Sequence, residues 1–412
     1  GLIIGPVGYE LIILICSLFF ILNFRKILNL DKIIIFFLIY YFYILTLSFF
    51  SNDIRLSLES SLFFIRFIFF AIIVSYFFSN FNKLNKFFAL STVTIFLFVI
   101  FDSFFQFFIG LNLFGLSMDE VDGLGRISGV FGKEYILGSY LSRLFPLLIG
   151  ILIYNFSHIK YFNNYLVILI ILINITIFIS GERSALLYCL VFNLLILFLH
   201  RKKFKIFFTS IIISTLITFI IILISPLHKE RIINKTINQI SNFDPDINQE
   251  VKDSSEISEN FSLLNNIKIF SYEHHNHYMK ALEIFKKNVL FGVGPKLFRK
   301  ECKNKIYTTN ERENIKKGCS THPHNIYIQS LAETGLFGFI FLFSFLCFII
   351  VKIFKQLIYQ DKHYIFSYVY ISIFISLFPL IPTGSLFNSW LLSINFFIYG
   401  YYLYIKSSRD FF

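Results

Sequence analysis

Charge is scarce in this chain. Only 15% of its 412 residues are charged, against about 25% in soluble domains. With 56% apolar residues and a mean hydropathy of +0.70, that excludes a disordered chain and an ordinary soluble enzyme. Five cysteines in 412 residues are too few for a secreted disulfide scaffold. No CxxC, HExxH, Walker loop, dinucleotide fingerprint or nucleophile elbow occurs, so neither a metal nor ATP is indicated. Residues 1–22 are apolar but have no basic segment before them, so they are a poor signal peptide. No internal repeat is visible.

What is abundant is apolar sequence in blocks of about 20 residues, the length that spans a bilayer core as a helix. Phe supplies 58 positions, and Phe, Ile, Lys and Asn are common together, as an AT-rich genome would make them. The net charge of +12 therefore does not require nucleic acid, because basic membrane proteins place cations in cytoplasmic loops. Lys outnumbers Arg by 26 to 11, which makes the few arginines in or beside apolar spans the ones to watch.

Eleven spans are expected, at 2–22, 33–50, 57–78, 87–109, 135–154, 161–180, 184–199, 206–226, 325–351, 364–382 and 386–405. Helices are the default, since an open sheet edge would be unpaired in lipid. The fold class is all-α: a polytopic integral membrane protein of about 11–12 transmembrane helices, with one long external loop containing short helices. Alternate short loops and the C-terminal tail carry fifteen Lys and Arg, and the other loops four (Arg55, Arg126, Lys133 and Arg183). The richer set is cytoplasmic, so the C-terminus lies inside. An odd span count puts Gly1 outside, unless a further N-terminal span precedes it. The expected organisation is an N-terminal bundle over 1–226, an external loop over 227–323 and a C-terminal bundle over 324–412.

Within the loop, Asp244 to Glu259 is acidic and Asn/Ser-rich and reads as a mobile surface segment. Residues 277–290 read as an amphipathic helix with Tyr278, Ala281, Leu282, Phe285 and Val289 on one face, ended by Gly292-Val-Gly294-Pro295. Cys302 and Cys319 both fall in the loop. On an oxidising side they can bridge; the alternative is two free thiols.

The densest polar cluster runs from Cys319 through His322-Pro323-His324-Asn325, Gln329 and Glu333 to Gly335 and Gly338. Pro323 suits a helix start, which would put His324 in the first turn. The helix dipole there favours a neutral imidazole able to act as a base. Asn325, Gln329 and Glu333 form a polar stripe at i, i+4, i+8, which either faces a cavity or binds neighbouring helices. Two imidazoles at i, i+2 do not share a helix face, which argues against a metal. A second cluster, Ser180-Gly181-Glu182-Arg183-Ser184-Ala185, offers helix-start N–H groups and a planar guanidinium, a combination suited to phosphate. The alternative is a plain hairpin with a snorkelling Arg. Arg66, Arg126 and Arg143 lie in or near spans, where Glu59 or Glu134 are available as simple partners.

The string HPHNIYIQSLAETGLFG resembles the signature of the O-antigen ligase and O-antigen polymerase family. The Ser180 to Ala185 motif is similar to that family's Ser-Gly-Ser-Arg-Gly-Ala. Ala281-Leu282 through Gly294 resembles its loop helix with a terminal Gly-Val-Gly. The resemblance implies a multi-pass glycosyltransferase of the bacterial inner membrane, its active site facing the periplasm. Its partners would be membrane lipids, an undecaprenyl-diphosphate-linked glycan as donor, and a glycan or lipid A core as acceptor. It implies no cofactor, metal or nucleotide, and no nucleic-acid partner. It also implies that Arg183 holds the donor diphosphate and that His324 acts on the acceptor hydroxyl. The family's usual twelve spans fit a further N-terminal span. Where the family often has a further loop arginine, this chain reads Tyr272-Glu-His274-His275-Asn-His277, leaving Arg231 and Arg299 as substitutes. His322, Asn325, Gln329, Glu333, Arg126 and Arg143 complete the expected substrate-binding set. The cysteine pair and the HPHN form lean toward polymerase. A protein-glycosylating member and a non-catalytic scaffold are further options. The reading from another class is a transporter or channel for an anionic solute, its path lined by arginines; that calls for broken helices in two related halves, a symmetry not seen here.

Overall fold

The computed structural model describes residues 5–28, 31–81, 83–118, 126–234, 236–237, 271–307, 318–359 and 364–409. The acidic segment expected over Asp244 to Glu259 lies outside the described residues. Twelve principal helices are formed: α1 Pro6–Leu22, α2 Lys32–Phe49, α3 Ile54–Asn80, α4 Leu84–Ile109, α5 Leu137–Phe156, α6 Phe162–Ile179, α7 Arg183–Leu199, α8 Phe204–Ile224, α9 Tyr272–Lys287, α10 Ile326–Tyr359, α11 Ile365–Ser376 and α12 Ser389–Arg409. Apart from one isolated bridge between Leu111 and Ser117, the described residues form no β-structure.

Every expected span coincides with one of these helices, α9 being the loop helix. Seven segments among the described residues are long and apolar enough to cross a membrane: α2 to α6, Arg201–Ile224 and α10. Val7–Leu22, α7 and α11 are apolar but shorter. The ends follow side-chain chemistry. Asp31 and Asp53 cap α2 and α3 by accepting from Ile33 N–H and Leu56 N–H, and Gly110 ends α4 in the left-handed conformation.

The bundle has an inside and an outside. In α5, 89% of the apolar window is buried, whereas in Arg201–Ile224 only 17% is. So α5 is the axis, and α8 lies at the rim with Leu216, Phe219 and Leu223 facing outward. Around the axis, α11 packs on α5, α12 on α3 and α8 on α6. In lipid such packing rests on close contact rather than on expelled water. Gly150 of α5 supplies one such contact, lying directly against the Tyr368 ring of α11.

A second, small apolar core joins the loop to α10, made by Ala281, Ile284, Val293, Leu297, Phe298, Cys302 and Tyr307 with Ala332 of α10. The buried face of α9 is Tyr278, Ala281 and Ile284. Val289, expected on that face, is exposed because the helix ends at Lys287.

Candidate active site

The start of α10 differs from expectation. Asn325 Oδ1 accepts from Tyr327 N–H at 3.0 Å and Ile328 N–H at 3.2 Å, as an N-cap does. His324 is thus the residue before the cap rather than one in the first turn, because a carboxamide caps a helix better than an imidazole. Its φ is 60°, a left-handed conformation that costs a bulky side chain about 1–3 kcal/mol and that clusters at functional sites. Its carbonyl accepts from Thr383 N–H at 2.8 Å, and Asn325 Nδ2 donates to the Pro379 carbonyl at 2.8 Å. Two long-range bonds therefore hold the strained turn.

Four histidines meet there. The His324 ring lies 4.2 Å from His322, 5.3 Å from His274 and 5.6 Å from His277, between centroids. His274 and His277 are i, i+3 on α9, so both project from one face. Burial pushes His324 down to about 4, with His274 and His277 adding to the effect. Burial likewise holds His274 at about 4, aided by His277, Arg183 and His322, and His322 at about 3, aided by His324. These rings are neutral at pH 7. For His324 the neutral form is favoured by burial first and by the neighbouring rings second.

The arginines gather around the turn between α6 and α7. Glu182 is buried there; it accepts from Gly138 N–H at 2.7 Å and Ser139 N–H at 3.1 Å, holding the start of α5. Burial pushes its carboxyl up to about 7, against those two bonds and the charges of Arg126 and Arg143. Arg231 Nε donates to the Gly181 carbonyl at 3.0 Å. Arg183 Nη1 reaches Thr236 Oγ1 at 3.4 Å, and its charge acts on His274. Arg143 is buried and bonds Tyr188 Oη and Thr383 Oγ1, each at 3.3 Å. Thr383 thereby joins Arg143 to the His324 backbone. Arg126 lies over the Tyr135 ring, 4.8 Å from its centroid. Arg299 acts on His322 from the short helix Phe298–Glu301. The buried Nε atoms of Arg126 and Arg299 make no hydrogen bond among the described residues.

The remaining polar stripe is engaged with protein. Gln329 Nε2 donates to Glu333 Oε2 and Ser385 Oγ, both at 2.9 Å, and its Oε1 accepts from Leu386 N–H at 2.7 Å. Glu333 accepts from Lys296 N–H at 3.0 Å and Phe298 N–H at 3.1 Å, which fixes the helix carrying Arg299. Beyond it α10 kinks at Gly335, where φ is 66° and ψ is −167°. The loop stitches the break: Val293 and Gly294 donate to Ala332 and Glu333, and Leu336 donates to Val289. Gly292 and Gly335 lie backbone to backbone, so a Cβ on either would enter the other segment. Cys302 and Cys319 form a disulfide with Cα atoms 5.3 Å apart, tying the Arg299 helix to the His322 turn. Arg66 stands apart, ion-paired with Glu10 at 3.0 Å instead of with Glu59.

Sequence reasoning missed Glu182 as a holding group, Thr383 as a link and the approach of His274 and His277 to His324. The i, i+3 histidine pair was the one visible signal for the last of these.

This geometry defines a class: a multi-pass helical membrane protein whose buried arginines and neutral histidines converge where a loop helix meets the bundle. Residues 166–343, from α6 into α10, match the family model described as O-Antigen ligase. They take in both the Arg183 and the His324 turns, so the match supports a likeness to the O-antigen ligase and polymerase family over that stretch. No curated protein matches the chain.

Proposed function

We propose that the protein is a glycosyltransferase that moves a glycan from an undecaprenyl-diphosphate carrier to an acceptor hydroxyl, at the periplasmic face of the bacterial inner membrane. One observation carries the reading: the His274 ring of α9 is 5.3 Å from His324 and lies within the field of the Arg183 charge. A fixed cation and a neutral imidazole are thus neighbours at the edge of the bundle.

In this reading Arg183 grips the diphosphate, since a guanidinium keeps its charge and offers two parallel N–H groups. Arg126 and Arg299 add the Nε donors that the described residues leave unused, while Arg143 and Arg231 add positive potential. His324 takes the acceptor proton as the new glycosidic bond forms and the bond from sugar to diphosphate breaks. The departing diphosphate is already a good leaving group, so charge stabilisation and one base suffice without metal or nucleotide. Asn325, Gln329 and Glu333 hold the turn and the Arg299 helix in place, and burial beside His274 and His277 keeps the base neutral.

The acceptor divides the family's two activities. A polymerase extends another carrier-linked repeat, and a ligase delivers glycan to lipid A core. The test is the glycan profile of a strain lacking the gene. Single repeats on lipid A core indicate a lost polymerase, and long glycan stranded on the carrier indicates a lost ligase. An unchanged profile overturns the proposal.

A further inference from the structure

We infer that His277 of α9 is the proton-accepting partner of His324, so that the loop helix takes part in the transfer step. The inference rests on the reading of His324 as the base. It starts from a fixed tautomer. His277 Nδ1 lies 3.0 Å from the Gly318 carbonyl oxygen. A carbonyl can only accept, so Nδ1 carries the hydrogen and Nε2 keeps the lone pair. The neighbouring residue, Cys319, is bonded to Cys302, which braces the carbonyl that sets this tautomer.

His324 needs such a partner. No described residue forms a hydrogen bond with its ring, while three other imidazoles surround it. His274 Nδ1 already meets Ser271 Oγ at 2.6 Å, and His322 Nδ1 meets Thr321 Oγ1 at 3.0 Å. His277 is the neighbour whose tautomer a carbonyl settles, and its ring centroid lies 5.6 Å from that of His324, a separation on the scale that a bridging water spans.

The step balances. The acceptor O–H bond breaks as oxygen attacks the sugar carbon, and the bond from that carbon to the diphosphate oxygen breaks with its electron pair. His324 takes the acceptor proton on one nitrogen and passes the proton of its other nitrogen to His277 Nε2. His277 then releases it to water. His277 touches no substrate and acts through His324, so it is a positioning and proton-accepting residue.

The test uses the purified full chain in lipid vesicles. The donor is carrier-linked glycan extracted from the deletion strain, and the acceptor is the truncated-glycan lipid of the same strain. His277→Asn keeps an N–H for the Gly318 carbonyl and removes the lone pair. It should lower kcat by about 10–100-fold, leave KM for donor and acceptor within about twofold and leave thermal unfolding unchanged. Added imidazole should restore part of the turnover of His277→Ala. Wild-type kcat in His277→Asn, with His324→Asn inactive, overturns the relay alone. A loss shared between KM and kcat, without imidazole rescue, also overturns it and leaves His277 a packing residue. Wild-type transfer by His324→Asn overturns the base reading and the relay together.

Discussion

On one side of the site Arg126, Arg143, Arg183 and Arg231 stand around the turn that carries a buried acid, Glu182. On the other side His274, His322 and His324 are half-buried and neutral at pH 7. The difference lies in the chemistry of the two groups. A guanidinium cannot shed its proton, so burial is offset by hydrogen bonds and a counter-charge; an imidazole sheds it, and crowding by other imidazoles reinforces the loss. One side is suited to holding an anion that stays charged, and the other to moving a proton.

Four perturbations break the two sides apart. The largest effect belongs to the histidine side: His324→Ala should lower glycan transfer by about 10²–10⁴-fold in a purified assay, and a loss under tenfold would mean that it only shapes the helix start. Next is the disulfide. Replacing Cys302 and Cys319 by Ser opens a closure of 17 residues, worth about 3 kcal/mol in the chain-entropy model. Proteolysis of the variant should speed up in the loop and not around residues 180–183.

Third, the sides should respond to pH with opposite slopes. The folded protein holds His274 and His324 near 4 and His322 near 3, below the unfolded value of about 6.5. Their contribution to stability is complete above about pH 6.5 and is lost as pH falls through about 4. Glu182 is held near 7, above its unfolded value of about 4.5. Its contribution is complete below about pH 4.5 and is lost as pH rises through about 7. Thermal unfolding of His322→Asn should show a flatter acid arm than wild type, with the alkaline arm unchanged. The smallest effect is that of Glu182→Gln, which should cost about 1–3 kcal/mol at acid pH, since one of the Gly138 and Ser139 N–H groups loses its acceptor, and should flatten the alkaline arm, so that the cost shrinks as pH rises through about 7. An unaltered alkaline arm would remove Glu182 as the source of that slope.

The sequence reading reached the spans because a bilayer demands apolar blocks of fixed length, and it singled out Arg183 and His324 because arginine and histidine clusters beside apolar spans are conspicuous. It missed what depends on distant pairing. The bond from Thr383 to His324, the Arg231 contact with Gly181 and the approach of α9 to His324 leave no periodicity behind. The Gly335 to Gly338 pattern was legible only as a motif. Its physical reason, the backbone of residues 289–294 filling a broken helix, needed the fold.

The central claim is that donor grip and proton transfer belong to different sides. It is tested most directly by measuring binding of undecaprenyl-diphosphate-linked glycan to purified Arg183→Lys and His324→Ala, beside the transfer rate of each. Arg183→Lys, which keeps the charge but loses the fork, should bind donor about tenfold or more weakly, whereas His324→Ala should bind it as wild type does and fail to transfer it. Normal donor binding by Arg183→Lys, or weakened binding by His324→Ala, would contradict the division.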